Sequence, residues 1–314
     1  MNPVPRILAR MIEMSVTLLG ASVLIWALLP LAPGDPALRT LQAMGNDSPR
    51  AAEVKALREQ FGLDRPLPLQ YLAWLGRALR GDLSHSWQSG KPVGAELARR
   101  LPATALLAVV TLFLSIALSI AAALISAAFY RRWPDRVLRA FTQLAASLPG
   151  FLLGLLLLQF VVLRFGIGRI VSAGSIEDVW LPALCLSAGR AAEWGQLLRA
   201  GLLDALQARY SLVAAARGAT PWRILLRYAL PNAMPPFLAA IGRGIGLLLG
   251  GVAVIEAVFS WPGLGSLAVS AIAARDLPVI QGYVILATLS YVAAGLLADL
   301  ASEMLDPRLR AREA

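Results

Sequence analysis

Six stretches of this chain, approximately 9–32, 102–129, 140–164, 180–201, 233–258 and 281–303, are predominantly apolar. Each is about as long as a helix must be to cross a bilayer, roughly 20 residues for about 30 Å of hydrocarbon. With 58% hydrophobic residues, 15% charged ones and a mean hydropathy of +0.65, the 314 residues carry too little polar surface for an ordinary soluble fold. The expected fold class is therefore an all-α polytopic membrane protein with six transmembrane helices, forming one domain over 1–314.

Six crossings place both termini on one side of the membrane. With the N-terminus inside, the cytoplasmic segments hold Arg6 and Arg10, then Arg131, Arg132, Arg136 and Arg139. They continue with Arg199, Arg209, Arg217, Arg223 and Arg227, and finish with Arg308, Arg310 and Arg312. The two short outer loops hold little more than Arg169 and Arg275. Cations concentrate in short cytoplasmic loops, so both termini are expected to be cytoplasmic. The excess of 29 basic over 19 acidic residues needs no nucleic-acid partner to explain it. The apolar run after Arg10 is too long for a signal peptide and lacks a small-residue cleavage site, so no cleavable leader is expected.

Residues 33–101 form the one long outer segment, mixed in charge and only moderately apolar. A helical run over Ala51–Phe61 ends at Gly62, and a second over Leu69–Leu79 ends at Gly81. Two readings are open: a small helical outer subdomain, or a solvated cap that merely joins two spans.

Between the fourth and fifth spans, residues 202–231 have the pattern of a rigid elbow. A helix over Leu202–Arg217 stops at Gly218, which suits the left-handed position after a helix. Thr220 is an N-cap and Pro221 a first helical residue, opening a second helix over Trp222–Leu230 that is expected to halt at Pro231. Such an elbow either docks on a partner or lies flat on the lipid headgroups.

Two further patterns lie at membrane depth. Gly242, Gly246 and Gly250 recur every four residues and offer one smooth face for close helix packing. Arg190 and Glu193 fall near the middle of the fourth span, Arg243 near the middle of the fifth, and Glu256 close to its outer boundary. Ionisable residues at such depths are costly and so become candidates for a translocation pathway. Arg190 and Glu193 stand three apart and could instead neutralise one another.

Several chemistries are excluded. The single Cys185 leaves no internal disulfide, and the single His85 leaves no zinc site of several His and Cys ligands. Gly90-Lys91 is followed by Pro92 and has His85 where a phosphate-cradling loop needs its first Gly. No GxSxG or HExxH occurs and His85 lies outside the spans, so an enzyme is not expected.

Taken together, the motifs resemble those of the integral-membrane permease subunits of ABC importers, in the dipeptide, oligopeptide, nickel and opine-metallophore group. The first span runs into Pro33-Gly34-Asp35-Pro36, followed by Phe61-Gly62-Leu63-Asp64, Pro66, Gln70-Tyr71, Trp74-Leu75 and Gly81-Asp82. Leu101-Pro102-Ala103-Thr104, Ser147-Leu148-Pro149, Leu181-Pro182 and Phe259-Ser260-Trp261-Pro262-Gly263-Leu264-Gly265 follow. The family's cytoplasmic signature places EAA before a Gly and ends in Leu-Pro. Here Gly218 and Leu230-Pro231 fit, while the EAA positions read Leu212-Val213-Ala214. Ser84 stands where relatives often have Gly, and Arg190 and Arg243 stand where uncharged residues are expected.

The resemblance implies a type I ABC importer permease fold. It further implies that Ala214, Arg217, Gly218, Ala219, Thr220, Pro221, Trp222, Leu230 and Pro231 couple the chain to an ATPase. The implied partners are a homologous second permease subunit, cytoplasmic ATP-binding subunits, a periplasmic or lipid-anchored substrate-binding protein and the lipid bilayer of a bacterial inner membrane. The chain itself would bind no cofactor, since ATP and Mg are used by partner subunits. The implied cargo is a short peptide or an anionic metal chelate of the nickel and opine-metallophore kind, with free nickel ion as an alternative. A self-sufficient secondary carrier is the competing class.

Overall fold

The computed structural model describes residues 4–27, 35–43, 45, 46, 48–169 and 172–305, and all regular structure among them is helical. In chain order the helices are α1 (Val4–Ala27), α2 (Pro36–Ala43), α3 (Ala51–Phe61), α4 (Leu67–Ala78), α5 (Val93–Ala128), α6 (Trp133–Ser147) and α7 (Gly150–Leu157). There follow α8 (Trp180–Gln207), α9 (Arg209–Ala216), α10 (Pro221–Ile224), α11 (Leu230–Val258), α12 (Leu264–Ala274) and α13 (Leu277–Leu305). Residues 28–34, including Pro33 and Gly34, lie outside the described residues.

Among the described residues three helical stretches are long and apolar enough to cross a membrane: Val93–Ala128, Pro221–Ile245 and Leu277–Leu296. A fourth arises if Trp133–Ser147 and Gly150–Arg164 count as one span, although they meet at 107°. That bend replaces the straight crossing expected over 140–164, and Pro149 explains it. A residue before proline is pushed out of the helical region, and Leu148 is extended at φ −85°, ψ 129°. The expected stretch at 180–201 is a helix too, α8, but Arg190, Glu193, Arg199 and Asp204 make it more polar than the others.

The chain divides into two compact units, Met1–Pro102 with Gly263–Val292 and Ala103–Pro262 with Ala293–Ala314. In the first unit the segment after α1 is folded into α2, α3 and α4. Gly62 ends α3 in the left-handed conformation at φ 70°, as the sequence implies. Asp35 accepts from the Ala37 amide at 2.9 Å and from Arg58 at 2.7 Å, while Arg58 also reaches Asp64 at 3.1 Å. The bonds from Arg58 to Asp35 and Asp64 raise the Arg58 guanidinium above its ordinary pKa.

Tyr71 meets Ser22 of α1 at 2.9 Å, and the Tyr71 and Trp74 rings lie beside Trp26 at 6.0 and 5.7 Å. The loop before α5 is clipped to the α12–α13 connection by Asp276, which is 3% exposed. Its carboxylate accepts from the Ser86 hydroxyl and from the Trp87 and Gln88 amides at 3.1 and 3.3 Å. Ser84 in that loop has φ 66°, a conformation glycine adopts without strain. The Gly that the resemblance implies at this position would therefore have a structural reason, and Ser84 holds the turn by donating its amide to Asp82 at 2.8 Å.

In the second unit α8 packs against α6 and α11. Its core contains Trp194, Leu198, Leu202, Ala233 and Phe237. Lipid is as apolar as leucine, so membrane helices associate through close packing rather than water exclusion. A Cβ on Gly244 would lie 2.5 Å from the Trp194 ring, and one on Gly201 would lie 3.3 Å from Ala233. The tight approach therefore falls at Gly244. Gly250 is exposed with open space around it, Gly242 is half-buried, and the surroundings of Gly246 lie outside the described residues.

Candidate functional site

The elbow expected over 202–231 is present, with two differences. The first helix does not run through to Arg217: Ala208 breaks it in an extended conformation, φ −68°, ψ 151°, and the Ser211 hydroxyl ties the new turn back by donating to the Ala205 carbonyl at 2.7 Å. The second difference is that the chain does not halt at Pro231. Residues Leu225–Ala229 widen into a π turn and α11 begins at Leu230. Proline lacks an N–H and its ring crowds the carbonyl four residues back, and a wider turn with i→i+5 bonding relieves that crowding.

The joint itself matches its sequence signals. Gly218 sits at φ 83°, its N–H donates to Ala215 at 2.9 Å, and the Ala219 N–H donates to Ala214 at 3.1 Å. This pair of bonds closes a helix end through a left-handed residue. Thr220 is extended and its hydroxyl accepts from the Arg223 amide at 3.4 Å, with Pro221 as first helical residue. Ala214, Ile224, Leu225 and Ala229 are buried and anchor the elbow, while Leu212, Val213, Arg217, Trp222 and Arg223 are exposed. The result is a stiff knuckle that presents an apolar and cationic surface.

The charges expected at membrane depth lie in different environments. Arg190 and Glu193 bond at 2.8 Å, so they neutralise one another on α8. Arg243 is exposed on α11. Glu256 is fully buried, its carboxylate accepting from the Thr104 hydroxyl at 2.6 Å and its carbonyl from the Trp261 amide at 2.8 Å.

One buried charge cluster has no counterpart among the expectations from sequence. Asp135 at the start of α6 is 0% exposed. Arg199 of α8 grips it with two bonds of 3.0 and 3.1 Å, Ser126 of α5 donates to it, and the Arg131 amide adds a fourth bond at 3.0 Å. The Tyr130 ring lies 5.7 Å from the Arg199 guanidinium. The signal in the sequence is a lone acid among Arg131, Arg132, Arg136 and Arg139, a run whose cations alone enter the topology argument.

Comparison with known proteins agrees with this architecture. Residues 115–311 match the family described as binding-protein-dependent transport system inner membrane component, and residues 4–108 match the N-terminal region of such membrane components. The glutathione transport system permease protein GsiC of Escherichia coli is 34% identical over 304 residues, covering 97% of this chain and 98% of that protein. A putative peptide permease protein of Brucella ovis is 38% identical over 304 residues, covering 93% and 95%. Among solved structures, an inward-facing MetNI methionine ABC transporter chain superposes with a TM-score of 0.55 at 19% identity, over 67% of this chain and 96% of that one. An amino acid ABC transporter chain gives 0.52 at 18% identity, over 68% and 94%. These two show the fold alone. The family match spans well over half of the chain and the two relatives match nearly all of it, so the chain belongs to the binding-protein-dependent transport system inner membrane components, the multi-pass permease subunits of ABC importers.

Proposed function

We propose that this permease carries short anionic peptides, glutathione among them, inward across a bacterial inner membrane. The observation behind the cargo is that relatives aligned along almost the whole chain are named for glutathione and peptide transport. Their names carry no nickel or metallophore function, so the cargo proposed is the peptide alone. The salt bridge between Arg190 and Glu193 removes one of two cations from the charge argument and leaves Arg243 as the group that favours a carboxylate-bearing cargo.

In this reading a homologous second permease completes the pore, and cytoplasmic ATP-binding subunits supply energy with their own ATP and Mg. A periplasmic or lipid-anchored binding protein delivers the cargo. The exposed knuckle around Gly218 seats on the ATP-binding subunit, with Ala214 buried beneath it and Trp222 at its tip.

Proteoliposomes holding the four-component transporter test the cargo. ATP-dependent accumulation of glutathione is expected, falling several-fold in Arg243→Ala while a neutral tripeptide is less affected, because an unpaired charge acts strongly where the dielectric is low. Absence of ATP-driven accumulation of any tripeptide would remove the reading, and unchanged glutathione transport would remove Arg243 from the pathway.

The same reading has six spans, both termini cytoplasmic and residues near 45–95 outside, as the arginine asymmetry implies. Gln60→Cys on a Cys185→Ser background should react with a membrane-impermeant maleimide added to spheroplasts from outside. Labelling only after lysis would reverse the orientation.

A further inference from the structure

The first unit contains a cavity of about 1000 Å³ that none of the motifs above accounts for. Its walls are aromatic: Trp26 and Trp74 on one side, and the stacked pair Phe61 and Trp87, 4.6 Å apart and 7° from parallel, on another. Three polar groups give it binding capacity. Gln281 of α13 is 4% exposed and lines the cavity, and among the described residues its amide makes no side-chain hydrogen bond. The Trp26 Nε1 donor and the Ser84 hydroxyl, both from lining residues, are buried without a partner among the described residues.

A buried polar group without a partner costs free energy comparable to a lost hydrogen bond, and such groups call for explanation. Two around one cavity, with the Gln281 amide beside them, point to a molecule that satisfies them. Gln281 offers a donor and an acceptor side by side, the complement of a peptide group. Trp26 offers a donor for a carbonyl, and flat rings accept the faces of planar amides. The exposed Arg65 and Arg77 stand against the single carboxylate of Glu59 among the lining residues, so the charge surplus is positive.

We infer that this cavity is a permease-borne binding site for a short peptide with a free carboxylate, its backbone amides held by Gln281 and Trp26 between the aromatic walls and its carboxylate met by Arg65 and Arg77. The site rests on the outward placement of this unit proposed above. It holds cargo on the permease itself, apart from the binding protein, and raises the local peptide concentration at the outer face.

The test uses the full chain in lipid nanodiscs, with no ATPase and no binding protein, so that it is independent of transport. Trialanine is titrated and followed by tryptophan fluorescence, which Trp26, Trp74 and Trp87 make sensitive to the cavity. Saturable binding is expected, weakened at least about tenfold in Gln281→Met. Trialanine amide, which lacks the carboxylate, should bind about tenfold more weakly than trialanine. The exposed-rim variant Arg77→Gln should narrow that difference without reducing amide binding, a readout that misfolding would not produce. Absence of saturable binding, or binding equal in wild type, Gln281→Met and Arg77→Gln, would overturn the site even where transport is intact. Cargo-free binding protein docking with the same sensitivity to Gln281→Met, with no trialanine binding, would also overturn it and assign the cavity to a protein loop.

Discussion

Gly218→Val is expected to reduce ATP-driven uptake by at least about tenfold while the protein still inserts and assembles. The residue sits at φ 83° and a Cβ placed on it would meet nothing within 4 Å, so the penalty comes from the backbone alone and not from a clash with neighbours. A left-handed conformation costs a non-glycine residue on the order of 1–2 kcal/mol, and a β-branched one is a clear outlier there. The strain is relieved by moving residue 218 out of that region, which breaks the bonds to Ala215 and Ala214 and re-aims the capped helix from Thr220 onward. A joint that transmits force fails when its direction changes even if its parts survive. Gly218→Asn, which tolerates the left-handed region, should keep most of the uptake. Substrate-stimulated ATPase and uptake at wild-type levels in the Gly218→Val transporter would defeat the coupling role.

The helix ends are legible in the sequence because a glycine's sign of φ or a hydroxyl's capping reach is a local property. Gly62, Gly218 and the Thr220-Pro221 start all fall where the residue types place them. Hydrophobicity is a weaker guide to path than to composition. The apolar run over 140–164 conceals the 107° bend at Leu148, although Pro149 alone carries the information. The π turn over Leu225–Ala229 is not legible in the same way, because a proline signals a stop, whereas a helix that is otherwise well packed absorbs the missing donor by widening. Charges divide on sequence distance. Arg190 and Glu193, three apart on one helix, are open to pairing from spacing alone, whereas Asp135 and Arg199 lie 64 residues apart and meet only through the packing of α6 on α8.

That long-range pair carries the largest expected effect on stability. Asp135→Asn should destabilise the protein by about 3–5 kcal/mol, the usual cost of breaking a buried ion pair by removing one partner. The cost arises because Arg199, its side chain 19% exposed, would keep its charge among apolar neighbours without the bidentate carboxylate it now holds. Asn keeps one oxygen acceptor where the carboxylate has two, so Ser126 and the Arg131 amide, which bond different oxygens of Asp135, can no longer both be satisfied, and the turn between α5 and α6 would loosen along with α8. Asp135→Asn combined with Arg199→Met removes both charges and should recover much of the loss, since replacing a buried pair by apolar groups is often neutral or stabilising. Thermal unfolding in detergent micelles across the double-mutant cycle measures this coupling. Additive losses, with the double variant as unstable as the sum of the singles, would mean that Asp135 is held by Ser126 and the Arg131 amide and that Arg199 contributes little to tying α8 to α6.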